Sequence, residues 1–192
     1  MRFLAFGLLL LCSVAGDGQA VRPPGAGKVE PPFGRKWGEP PTGLVDWAAR
    51  FKLDVHVKAP GDRPRVKILM VAPRVGSLPN HESTSLEAHF IDGRLFEVSV
   101  HYTYPGESTD HVRARHAALK ELLTRHYGPL KFNGRKNDTQ DGITTLSEAF
   151  QAEPSPGNML LLVFTEVRDA KRGDAAARFS VLYHNEGILD GR

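Results

Sequence analysis

The chain predicts an α+β fold: a mostly antiparallel sheet of about six to seven strands with one long helix packed on one face, in the order ββββαβββ. Three observations carry this expectation. From Phe51 to Val57 the chain alternates strictly, with Phe51, Leu53, Val55 and Val57 on one side and Lys52, Asp54 and His56 on the other, which is the period of a half-buried strand. Leu86, Ala88 and Phe90, then Phe96, Val98, Val100 and Tyr102, alternate on either side of Asp92-Gly93 as a hairpin does. After Pro105 the period changes to that of an amphipathic helix, and three more apolar stretches follow.

In chain order, the first element is a leader. Arg2, an apolar run from Phe3 to Leu11 and small residues through Ala20 have the layout of a secretory signal peptide. The run is shorter than the roughly 20 apolar residues that span a bilayer. Gly18-Gln19-Ala20 fits the small-x-small rule and leaves a polar spacer, so cleavage is expected after Ala20. A lipoprotein reading of Cys12 needs small residues just before the cysteine, and Leu10 and Leu11 stand there instead. Cleavage after Ala20 discards the only cysteine, so the mature chain has no disulfide and no thiol chemistry.

Residues 21–44 carry Pro23-Pro24, Pro31-Pro32 and Pro40-Pro41 with interspersed glycines, the composition of a linker or of an arm packed on its own domain. A single domain is expected over 45–188, with 189–192 as a tail. Such a domain is long enough to bury about 70% of the surface its unfolded chain exposes. Within it, Ala59-Pro60-Gly61-Asp62 is a turn, and Val66–Ala72 is a strand apolar on both sides, hence more central. Pro73–Glu82 forms a loop.

The hairpin raises a question of register. A two-residue turn at Asp92-Gly93 pairs Phe90 with Leu95 and sets apolar positions of one strand opposite polar positions of the other. A three-residue loop, Ile91-Asp92-Gly93, with Gly93 as an αL bulge, pairs Ala88 with Phe96 and Leu86 with Val98, and is the expected register. It places Glu87 opposite Glu97; a loop over Asp92–Arg94 would set His89 opposite Glu97.

The helix is expected over Asp110–Tyr127. Ser108, Thr109 or Asp110 can cap it, and Val112, Leu119, Leu122, Leu123 and Tyr127 form its apolar stripe. Gly128-Pro129 stops it. Strands over Ile143–Ala152, Met159–Val167 and Ala177–His184 complete the sheet, and the unbroken run Leu160–Phe164 suggests its centre.

Composition narrows the function classes. The chain has 25 Lys and Arg against 22 Asp and Glu, giving +3, and these charges interleave, as over Glu166–Asp174. A nucleic-acid binder gathers its bases on one face, so nucleic-acid binding is not expected. No later segment is long and apolar enough to span a membrane. No cofactor motif occurs: Gly25-Ala26-Gly27-Lys28 lacks the preceding strand and the spacing of a phosphate loop.

The outer face of the hairpin holds the strongest candidate site. Glu87, His89, Glu97, Ser99 and His101 share it, and a carboxylate pair beside two imidazoles suits a divalent metal or acid/base work. Weaker signals fail on spacing. His111, His116 and His126 read as scattered surface residues of the helix. His81-Glu82 opens like a zincin motif but Ser85 stands where the second histidine belongs, and Ser83, Thr84 and Ser85 lack the glycines of a nucleophile elbow. Asn137-Asp138-Thr139 is a glycosylation sequon expected in a loop. The expectation is a secreted or periplasmic, non-catalytic binding domain with an envelope or extracellular protein as partner. The alternative is a metal-binding protein or hydrolytic enzyme that uses the Glu87, His89, Glu97 and His101 face.

Overall fold

The structure is a computed structural model that describes residues 29–189. The leader, its cleavage point after Ala20, Cys12 and the residues past Leu189 lie outside the described residues. The α+β class is as expected, and the described residues form eight strands rather than six to seven and two α-helices rather than one. In chain order the elements are α1 (Pro41–Arg50), β1 (Asp54–Lys58), β2 (Val66–Ala72), β3 (Ser85–Ile91) and β4 (Arg94–Thr103). There follow α2 (Thr109–Tyr127), β5 (Lys131–Gln140), β6 (Ile143–Ser155), β7 (Asn158–Asp169) and β8 (Asp174–Asn185). They form one antiparallel sheet in the spatial order β1-β2-β3-β4-β8-β7-β6-β5. The central pair is β4–β8, so the apolar run in β7 lies one strand from the middle.

Both helices pack on one face. Leu44, Trp47 and Ala48 recur at the helical spacing that turns one side of α1 to the core, and Pro41 at its first turn costs no hydrogen bond. This helix begins inside the stretch read as linker, 21–44, and runs on into the expected domain. Upstream of it Val29 is fully buried, and its carbonyl accepts from the Trp37 indole at 2.6 Å. The N–H of Gly38 donates to the carbonyl of Leu95, and the N–H of Leu95 donates to Glu39, so this segment bonds β4 directly.

In α2 the Ser108 hydroxyl accepts from the N–H of His111. Its buried stripe runs Val112, His116, Leu123, while Leu122 is 48% exposed. His116 is therefore a core residue, not one of a scattered surface set. It follows Val112 by four positions, which places both on one face.

The hairpin register is corrected by a bulge in β4. Asp92 and Gly93 both have positive φ (49° and 77°), as a two-residue type I′ turn requires, and pair Phe90 with Leu95 and Ile91 with Arg94. The ladder then shifts between His89 and Phe90, setting His89 opposite Glu97 and Ala88 opposite Val98. The shift sends Leu95 into the main core and Phe96 to the opposite face, where it packs with Val66, Ile68, Met70 and Ile188. That small second cluster explains why β2 is apolar on both sides while sitting only one strand from the edge.

β5 is exposed along nearly its whole length and carries the Asn137 sequon on an edge strand, not in a loop.

Candidate functional site

The hairpin's outer face keeps the expected residues together in a different arrangement. Glu87 faces Ser99, not Glu97, so no carboxylate pair forms across the strands. Instead His89 stands between the two acids: its Nε2 lies 2.7 Å from Glu87 Oε1 and its Nδ1 3.3 Å from Glu97 Oε1, the second contact being too poorly aligned for a hydrogen bond. The other oxygen of Glu97 meets His184 Nδ1 at 3.1 Å. The result is a row, Glu87–His89–Glu97–His184, running across β3, β4 and β8. His101 lies on the same face opposite Ser85 and Ser180 but outside this row. Burial holds its imidazole below the usual pKa, with Glu87 opposing and Arg178 reinforcing the shift.

His184 belongs to the row and its sequence signal is weak. Alternation along β8 places it on this face, but β8 reaches β4 from about 80 residues away and only the folded ladder sets Glu97 beside it. The row is linear, and among the described residues no group of three or more His, Cys, Asp or Glu side chains is placed to hold a metal ion. The row links β3, β4 and β8 through side chains on the half-buried outer face, by the His89–Glu87 and His184–Glu97 contacts.

A second region on the helix-bearing face is a cleft of about 660 Å3 between α2, the ends of β4 and β8, and the loop before β3. Its floor is aromatic. The Tyr102 and Phe179 rings stack at 4.7 Å with 21° between planes, and Tyr104 lies 5.9 Å from Phe179. Leu119 and Leu122 of α2 line one wall, His81 and Glu82 of the loop the other.

The charged groups around the cleft already have partners. Arg115 makes two 3.1 Å hydrogen bonds to Glu107, lies 3.5 Å from Glu82 and covers the Tyr104 ring at 4.6 Å. Arg125 donates to Glu121 at 2.7 Å, one helical turn away. The Tyr104 hydroxyl donates to Glu82 at 3.3 Å; burial first, then the Glu82 charge, pushes its pKa up to about 12.

His81 is held below its usual pKa by burial, partly offset by Glu82. Its Nδ1 accepts from the Ser83 backbone N–H at 3.2 Å and lies 2.7 Å from the Ser83 hydroxyl. Ser83 has no exposed surface, so this serine–histidine contact braces the loop and presents no nucleophile to the cleft.

The alternating pattern of β4 placed Tyr102 in the core. The convergence of Tyr102, Tyr104, Phe179 and α2 depends on the non-local β4–β8 pairing, and no local motif marks it. No protein-family model, curated protein or solved structure matches the chain.

Proposed function

We propose that this chain is a non-catalytic binding module, exported to the periplasm or the extracellular space, that takes its partner at the cleft between α2 and residues 73–84. One observation carries the reading: the cleft offers an aromatic floor and an apolar helix wall, while its arginines and Glu82 are already paired within the protein. Bond-breaking chemistry needs a reactive group poised against the substrate. Capture of an apolar side chain needs concave, largely apolar surface with a few polar groups, which this cleft supplies. The leader-like layout of residues 1–20 supports export.

The reading is tested by two-dimensional amide NMR while a mixture of N-acetyl amino-acid amides is added to the full chain. Shifts are expected to concentrate on Tyr104, Leu119, Leu122 and Phe179. A Leu122→Lys variant, altered at a half-exposed position, should lose them at an unchanged melting temperature. Shifts centred instead on His89 and Glu97 would sink the assignment.

A further inference from the structure

We infer that the cleft holds an aromatic side chain from within a peptide segment, with a neighbouring peptide carbonyl accepting a hydrogen bond from the Tyr102 hydroxyl. The inference rests on the cleft being the binding site. Its own ground is Tyr102, which is 5% exposed and lines the cleft. Among the described residues its hydroxyl has no hydrogen-bond partner, and it is not among the polar atoms sealed from solvent. Water therefore reaches this donor, and an occupant that displaces the water must supply an acceptor in its place or leave the hydroxyl unpaired. Burial and the nearby Tyr104 and Glu82 hold its pKa well above the ordinary phenol value, so the group stays a neutral donor.

The charge pattern selects among ligands. His81 is disposed to be neutral, Glu82 is taken by Tyr104 and Arg115, and both arginines have carboxylate partners. An anionic ligand would have to break those pairs and approach Glu82. A cationic one would meet two arginines. What remains without a protein partner is apolar surface and one neutral donor, which an aromatic ring beside a backbone carbonyl matches. Stacked rings in the floor favour an aromatic over an aliphatic side chain beyond area alone. The space also exceeds what one side chain fills and lies in the range that takes a drug-sized ligand, so flanking residues have room. Leu122, exposed on the rim, extends the apolar surface toward them.

The test is amide NMR titration of the full chain with acetyl-Ala-Phe-Ala-amide, acetyl-Ala-Ala-Ala-amide and 3-phenylpropionate. The phenylalanine peptide should shift Tyr104, Leu119 and Phe179, the alanine peptide should not, and phenylpropionate should bind more weakly. Tyr102→Phe keeps the ring and removes only an unpaired hydroxyl, so it should fold normally and weaken the phenylalanine peptide about fivefold. An equal response to the alanine peptide, tighter binding of the free acid, or full affinity in Tyr102→Phe would overturn the inference and leave the cleft as a binding site. Silence of the cleft toward all three ligands would remove both readings together.

Discussion

The imidazole of His116 sits beneath α2 among the rings of Phe164, Phe179 and Phe150, at 5.2, 5.7 and 6.0 Å. Its Nε2 is buried without a hydrogen-bond partner. Burial, then the positive charges of Lys120 and Arg113, push its pKa down to about 4, against a smaller opposing effect of Glu148. The sign of the consequence is fixed. The unfolded ring takes up a proton near pH 6.5, while the folded ring stays neutral until about 4. Between those values the unfolded chain binds more protons, so stability falls as pH falls through this window and the contribution is complete above it. Denaturant unfolding at pH 7 and pH 4.5 should show a loss of roughly 2 kcal/mol from this ring, and His116→Leu should flatten the difference. An equal acid loss in the variant would assign the effect to other groups. Glu166 shows the complementary solution on the same face: only 2% exposed, it accepts from both Arg113 and Arg168, so its charge is buried but paired.

At the scale of elements, α1 is the part whose role differs most from its composition. Trp47 contacts Phe33 and Phe51 at 5.3 and 5.8 Å and belongs to the main core. Trp47→Ala should therefore cost about 3–5 kcal/mol, read as a shifted denaturation midpoint. A cost below about 1 kcal/mol would mean that residues 29–50 are an accessory arm after all. The helix was legible in Leu44, Trp47 and Ala48, but three diproline pairs just upstream gave a stronger signal for extended chain. β5 was not legible at all. KFNGRKNDTQ has neither an alternating apolar face nor β-branched enrichment, because no helix covers the strand and only β6 supports it. The hairpin was half legible: alternation identified both strands and their faces, but it placed the extra residue in the loop. The bulge sits inside β4, where the backbone of Leu95 is held by Gly38 and Glu39, residues more than 50 positions away. The candidate row shared this limit. Alternation set Glu87, His89, Glu97 and His101 on one face, but the expected register paired Glu87 with Glu97, and His184 joins the row only through the β4–β8 ladder.

For the whole molecule, the two faces and two ends of the sheet are unequally supported, and this governs how it opens. The helices cover one face, α1 against β1 and α2 over β8, β7 and part of β6, and in the core beneath them Phe90, Val181, Leu160, Leu162 and Phe164 have no exposed surface. The β5 end lacks that cover: Phe132 is 61% exposed, Ile143 at the start of β6 is 44% exposed, and β5 bonds only to β6. Strand pairing alone is marginal in water without a buried apolar face. Local opening free energies range from near zero at such edges up to the global value in the core. Native-state hydrogen exchange should therefore resolve a gradient. Amides bonded between β4 and β8, such as those around Val100 and Val181, should exchange only through global unfolding. Those of β5 and the distal half of β6, from Asn137 to Leu146, should exchange at least a hundredfold faster, a difference of about 2.7 kcal/mol. Their protection should respond little to Trp47→Ala, since the hairpin opens without disturbing α1. Uniform protection across all eight strands would show instead that the β5–β6 hairpin is locked in place, by the Arg113–Glu148 ion pair to α2 with Arg135–Glu148 bracing the hairpin itself, or by a second chain at the exposed edge. Repeating the exchange at high salt separates these two, because screening weakens the half-exposed Arg113–Glu148 pair but leaves edge-to-edge strand hydrogen bonds in place.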